Sequence, residues 1–418
     1  MAPSPVPAPV RTDPPRSRAV MVMGVVALIL IGLNLRAGIT GASTLLHDLQ
    51  RTLGYGPVIA SVIPSIPTLC FAVAGAATSW LTGKVGVEKA IALALAMLAG
   101  GLLMRGIPAT GMLVGGTVVG MCGLAVCNVA MPSFIREHFA SRTSLMTGVY
   151  TLTMTTGATA ASILAVPMAQ ALGSPSSAVG SIGFLAAAAL LGFLPVALHS
   201  HRHGVRSGEA RIRPWPLLKT RKGLLITAVF TLQSLLAYSV LSWFPYQLTT
   251  KGLDAAESGL MYGLLQLVSV PAGMLLIAMG SRPGMLRPAF YLAGLSMAAG
   301  LACQLLLPVE LAIIPACLTG LGIGIFPLVM VLISRSGTTT AETTALSTLA
   351  QSTGYLLASL GPFGVGLLHS ATGSWTLPLA ILLVVAAAQI AMGHLLTGNG
   401  VIPGSARRPA GRVAGPAR

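Results

Sequence analysis

The sequence predicts an all-α integral membrane protein with twelve transmembrane helices arranged as two parallel six-helix repeats. Three observations carry the prediction. Hydrophobic residues make up 54% of the 418-residue chain and charged residues only 8%, where a soluble domain has about 25% charged residues. Apolar runs of membrane-crossing length recur along the chain. All but four of the 25 basic residues fall on one side of the resulting topology.

In chain order, the runs lie at 20–46, 57–81, 90–107, 112–134, 145–172 and 179–199, then at 224–248, 256–279, 288–307, 311–334, 343–369 and 376–396. The first is ~40 Å long at roughly 1.5 Å per residue, enough to cross a hydrocarbon core of about 30 Å. Residues 1–19 are Pro-rich and read as a disordered tail. They are not a cleavable signal, because the apolar run that follows is too long and contains Arg36. Segment 200–222 is a basic linker, with Arg202, Arg206, Arg211, Arg213, Lys219, Arg221 and Lys222 against Glu209, suited to anionic headgroups. His199, His201 and His203 beside it do not make a persuasive metal site. A second basic tail occupies 398–418. The two bundles are therefore 20–199 and 223–397.

Twelve crossings put both termini on one side. That side holds every basic residue except Arg36, Arg51, Arg105 and Lys251. By the positive-inside rule it is the cytoplasmic face of the inner membrane. The net charge of +16 therefore reports topology and not nucleic-acid binding. Cys70, Cys122, Cys127, Cys303 and Cys317 lie in apolar runs without metal spacing, so no structural disulfide, metal or cofactor is expected.

The halves echo each other at an offset near 200. Gly83-Lys84-Val85-Gly86 is matched by Ser281-Arg282-Pro283-Gly284, and Gly-rich helices 4 and 10 each carry a proline, Pro132 and Pro327. Parallel repeats of this kind place solute between the halves near the bilayer midplane. Glycine also allows close helix contact. The GLGIG run at 320–324 lies inside a spanning helix with no strand before it, so it is not a nucleotide loop.

Arg36, in GLNLRAG at 32–38, sits near mid-membrane. Its charge costs from ~3 to more than 10 kcal/mol there. All nine acidic residues fall in tails, loops or helix ends, so no fixed counter-ion faces it. Such a charge marks a site by default; an arginine locking helices through carbonyls is the alternative. Polar residues also recur at helical spacing: Arg36, Thr40, Ser43 and His47; Thr147, Thr151, Thr155 and Thr159; Ser347, Gln351, Tyr355 and Ser359. Helices 2 and 8 pair Ser61, Ser65 and Thr68 with Tyr262, Gln266 and Ser269, and helix 7 adds Gln233, Ser234, Tyr238 and Ser242. These stripes face either a central cavity or other helices as hydrogen-bonding glue. The candidate substrate-binding set is Arg36, Thr40, Asn128, Thr151, Gln233, Tyr238, Gln351 and Tyr355. Asn34 reads as an interhelical contact. His47 and His369, near the far ends of their helices, read as interfacial residues more than as proton carriers.

GLNLRAG, GLAVCNVAMP at 123–132, LMTGVYT at 145–151, LQSLLAYSVLSWFP at 232–245, AQSTGYLLASLGP at 350–362 and ATGSW at 371–375 together resemble the cyanate/2-nitroimidazole transporter family of the major facilitator superfamily. The resemblance implies the major facilitator fold, alternating access by a rocker switch, and small polar solutes as cargo. Two departures stand out. Ala37 replaces the family's proline after the helix 1 arginine, and the loop after helix 2 lacks the superfamily's aspartate.

The expected function is secondary active or facilitative transport of a small polar or anionic solute, a cyanate-like anion or a nitroimidazole-like heteroaromatic, held by Arg36. No ATP-binding GxxxxGK[ST] loop is present. A multidrug-type exporter is the nearest alternative. A membrane-embedded enzyme would need HExxH, GxSxG or paired carboxylates, which the sequence lacks. A non-transporting sensor would need an output domain. The expected partners are a small solute and the lipid bilayer, with no nucleic acid and no obligate protein partner.

Overall fold

The computed structural model describes residues 18–198, 214–337 and 339–398, and among these it is helical throughout, without a strand. Residues 1–17, 199–213 and 399–418 lie outside the described residues. With them lie most of the predicted tails, the first part of the linker and the three histidines beside it.

Span 1 is Arg18–Thr44. A short helix, Leu46–Leu53, follows it. Span 2 runs from Pro57–Val62 through a 3-10 turn, Ile63–Ser65, into Ile66–Val85. Pro64 and Pro67 remove two backbone donors there, which accounts for the tightened turn. Spans 3 to 6 are Val87–Met104, Thr110–His138, Thr143–Ala171 and Pro175–Leu198. Spans 7 to 9 are Arg221–Thr250, Ala255–Gly280 and Leu286–Leu306. Span 10 joins Ile313–Ile323 to Ile325–Ser336, and span 12 is Thr376–Leu396. Eleven of these helices are individually long and apolar enough to cross a bilayer. The twelfth crossing, span 11, is split at Ser359 into Thr340–Ala358 and Leu360–Thr372, and its first piece carries the predicted Ser347/Gln351/Tyr355 stripe. Polar side chains on one face and a break in the middle are what a helix bordering a solute space can tolerate and a lipid-bound one cannot.

Spans 1 and 12 begin and end at the same face, called here the terminal face; the opposite one is the distal face. Between spans 2 and 3 the chain reverses at a single residue, Gly86, with φ of 90°, a conformation that a side chain disfavours.

Water does not drive helices together in lipid, so contact depends on close packing. The glycines of spans 4 and 10 serve this, as the sequence predicts. A methyl at Gly116 would meet the Gly101 carbonyl of span 3 at 2.5 Å, and one at Gly320 the Leu265 carbonyl of span 8 at 2.6 Å. Gly157 of span 5 lies directly on the Leu33 carbonyl of span 1. Spans 1 to 6 share an apolar core around Leu28, Leu98, Leu124 and Phe193. Phe230, Phe290 and Leu328 centre another core on spans 7 to 12, which Ala72 of span 2 also enters. A third core joins the two sets, with Leu45 and Leu49 packed in one cluster with Val240, Phe244 and Tyr262.

Candidate functional site

Arg36 is half-buried in the middle of span 1. Among the described residues it has no hydrogen-bond or ion-pair partner. Tyr150, Tyr238, Tyr262 and Tyr355, from spans 5, 7, 8 and 11, lie within electrostatic reach of its guanidinium. Tyrosines from both sets of six spans therefore share its neighbourhood. Tyr238 and Tyr355 meet edge to face at 5.9 Å between ring centroids, and Phe71 of span 2 lies 5.3 Å from Tyr355 and 6.1 Å from Tyr238. Phe230 closes the cluster behind Tyr355 at 5.0 Å. The result is a guanidinium beside an aromatic wall, with no carboxylate at hand.

The other candidate residues divide. Gln351 is half-buried and donates from Nε2 to Ser347 Oγ at 2.7 Å, one turn back on the same helix. Asn128 Oδ1 accepts from the Tyr150 hydroxyl at 3.4 Å, which ties span 4 to the Arg36 neighbourhood. Gln233 is buried, and its Oε1 accepts from Ser234 at 3.4 Å. Thr151 is exposed, with its hydroxyl bonded back to the Thr147 carbonyl at 2.9 Å. Thr40 turns away from the group. Its hydroxyl reaches the Ala158 carbonyl of span 5 at 3.1 Å as well as its own helix, so it serves the seam between spans 1 and 5. Asn34 corrects an expectation: it donates to the Leu30 carbonyl at 2.8 Å, within its own helix and not to a neighbour.

Tyr150, Tyr262 and Phe71 are the members that sequence reasoning did not select. Tyr262 was visible in the span 8 stripe, and Phe71 continues the Ser61/Ser65/Thr68 face by three residues. Aromatic rings at those positions look like ordinary membrane-helix filling until the opposing helices are known.

On the distal side of Arg36 the two sets of spans are joined. Three hydrogen bonds that join the two sets lie there: Thr159 Oγ1 to the Gly263 carbonyl at 3.5 Å, Ser242 Oγ to the Pro64 carbonyl at 3.4 Å, and Tyr246 to Gln50 Oε1 at 3.1 Å; Tyr262 of span 8 also hydrogen-bonds Ser43 of span 1. His47 meets Tyr246 edge-on at 5.4 Å across the two sets, whereas His369 stacks on Trp375 at 3.9 Å within the second set. Toward the terminal face the packing loosens. Thr147, Thr151, Thr155 and Thr159 occupy one face of span 5. Thr159 touches span 8, whereas Thr147 and Thr151 are exposed and nothing packs over Gly148. One helical face that is sealed at one end and bare at the other means that spans 5 and 8 diverge toward the terminal face.

Two further charged groups stand apart from Arg36. Glu88, Glu137 and His138 gather at the terminal ends of spans 3 and 4, with His138 Nε2 3.4 Å from Glu88 Oε1. Lys222 bridges Glu342 at 2.8 Å and the Ser336 carbonyl at 2.7 Å.

A family model of the Major Facilitator Superfamily matches residues 28–362. Over 384 residues the chain is 31% identical to an "Uncharacterized transporter YycB" of Bacillus subtilis, covering 90% of this chain and 93% of the relative. It is 27% identical to a 2-nitroimidazole transporter of Escherichia coli, over 87% of this chain and 92% of that one. The cyanate transport protein CynX of the same organism is 25% identical, over 83% and 90%. Among solved structures, the nucleoside transporter NupG superposes with a TM-score of 0.74 at 11% identity, over 88% of this chain and 99% of that chain. A bacterial Spinster homologue, described as inward-facing and unoccupied, gives 0.70 at 13% identity, over 91% and 97%.

Proposed function

Because the chain belongs to the major facilitator superfamily and is a multi-pass membrane transporter, we propose that it carries a small polar or anionic solute by alternating access, with Arg36 at the central site. The observation that carries this reading is the unpartnered guanidinium, with tyrosines from both sets of six spans in its neighbourhood. Leaving that charge without a fixed anion costs energy, and a solute with an anionic or nitro-like end offsets the cost on arrival. Guanidinium presents a planar fork that can donate two parallel hydrogen bonds to two oxygens. The Phe71, Tyr238 and Tyr355 rings favour a flat body behind that end, which suits a nitroimidazole-like heteroaromatic and leaves room for a smaller cyanate-like anion.

Asn128, Gln351 and, further out, Gln233 and Thr151 supply polar contacts along the route. We place both termini in the cytoplasm of an inner-membrane protein on the basic bias of that face. In that orientation the distal bonds between the two sets of spans lie on the outer side. The six-helix halves 20–199 and 223–397 are the rocking bodies, joined by the basic 200–222 linker. The role is transport and not catalysis: the reading needs a charge and an aromatic wall, and assigns no nucleophile.

The test is calorimetry on purified protein with cyanate, nitrate and 2-nitroimidazole. Arg36→Ala should abolish binding of whichever solute binds the unaltered protein. Arg36→Lys should restore little of it, because a point charge replaces the fork. Undiminished affinity in both variants would make Arg36 structural.

A further inference from the structure

Arg105 was counted among the few cations on the distal side, at the end of the 90–107 run; it is the most deeply enclosed charge described. It caps the distal end of span 3 and is 1% exposed. Nη1 donates to the Gly38 carbonyl of span 1 at 2.8 Å, and Nε is buried with no acceptor. The ionisable group acting on it is Tyr55, whose hydroxyl is already bonded to the Leu46 carbonyl. An arginine keeps its charge at neutral pH even when buried. One carbonyl is a small return for five donors and a desolvated charge.

Arg105 also lines a cavity of about 20 Å³, room for a single water. Gly38, Ser43, Pro64 and Thr117 come from the first six spans, and the closing wall is Ser242 of span 7. Ser242 reaches across to the Pro64 carbonyl, one of the distal bonds between the two sets of spans. Gly38 is two residues beyond Arg36 toward the distal face. The two guanidiniums therefore flank one turn of span 1, Arg36 on the terminal side and Arg105 beneath the distal bonds.

We propose that Arg105 is an anion-binding station of the distal vestibule, covered now by Ser242 and exposed to solute when the two sets of spans part at that end. The inference rests on the alternating-access reading above. Opening breaks the Ser242–Pro64 bond and removes the one wall contributed by the second set. The uncovered guanidinium then meets an anion entering from the distal side before Arg36 does, and the unused Nε–H is free to donate to it. A purely structural role would need only the Gly38 contact and no access to the distal side.

The test uses the full chain with its five native cysteines replaced and Ser242→Cys introduced, in vesicles whose orientation is fixed by a separate Thr52→Cys reporter, exposed on the short distal helix Leu46–Leu53. Reaction rates with a sulfonate-bearing methanethiosulfonate and its trimethylammonium counterpart are measured from each face. The Ser242→Cys thiol should react from the distal face and favour the anionic reagent. Arg105→Gln should lower that preference by about tenfold or more, the effect of deleting one charge within a few ångströms, and Arg105→Lys should keep most of it. Should Arg105→Gln fail to fold, the intact guanidinium remains testable: added nitrate should slow the sulfonate reagent and not the cationic one. No reaction from the distal face, no effect of Arg105→Gln on the preference, or no nitrate protection would each overturn the proposal. The Arg105→Gln comparison uses no candidate solute, so a failure of the Arg36 reading by calorimetry would remain distinguishable from a failure here.

Discussion

The closest test of the helix packing compares two glycines of span 5. Gly157 lies against the Leu33 carbonyl of span 1, with Leu33 Cα at 2.8 Å from where a methyl would stand. Gly148, nine residues earlier on the same helix, has nothing within 4 Å of that position. Gly148→Ala adds a better helix former in open space and should be neutral or stabilising by up to about 1 kcal/mol. Gly157→Ala must push two backbones apart, since the obstacle is main chain and not a side chain that can rotate. Overpacking of this kind costs about 1–3 kcal/mol, and it falls on the helix pair that carries Arg36, one turn beyond Leu33. Thermal unfolding of the purified protein should therefore show a clear drop for Gly157→Ala and none for Gly148→Ala. Solute affinity should fall in the first variant alone. Equal melting temperatures for the two would mean that spans 1 and 5 do not touch through their backbones, and the placement of Arg36 would have to be redrawn.

Three other outcomes are expected. Gly366→Val places a branched side chain on Ser61 and the Trp243 ring, at the distal contact between the two sets of spans. It should shift the protein toward the distal-open state, read as faster labelling of a Ser242→Cys thiol from that side. Tyr246→Phe removes the bond to Gln50 Oε1 and, at about 0.5–1.5 kcal/mol for a net hydrogen bond, should shift the same labelling rate by at most about tenfold. Lys222→Met deletes the donor to both Glu342 and the Ser336 carbonyl, and should destabilise by about 1–3 kcal/mol, seen as a lower melting temperature that higher salt does not restore.

Why some of this was legible in the sequence and some was not follows from two arginines. Arg36 was legible because hydropathy places it at mid-membrane and composition removes every acidic partner; both are properties of one helix and of the whole count. Arg105 was not, because its neighbours in sequence, Gly106, Ile107 and Pro108, resemble any turn between spans. Its burial depends on span 1 offering the Gly38 carbonyl and span 7 closing over it, pairings from residues 67 and 137 positions away. The polar stripes behave likewise. Spacing put Thr40 on the Arg36 face and Thr147, Thr151 and Thr159 on one face of span 5. It could not say that Ala158 would capture Thr40, or that one threonine face would be sealed at Thr159 and bare at Thr147. The twelve crossings and the glycine contacts follow from local chemistry, and the helix breaks in spans 10 and 11 fall beside glycines the sequence shows plainly. Which end of the molecule joins the two sets of spans depends on contacts such as Thr159–Gly263 and Ser242–Pro64, separated by 104 and 178 residues. A transporter needs that set of contacts to be breakable. Few, long-range and individually weak bonds carry no periodic signature, and for the same reason they can be exchanged for others when the opposite end closes.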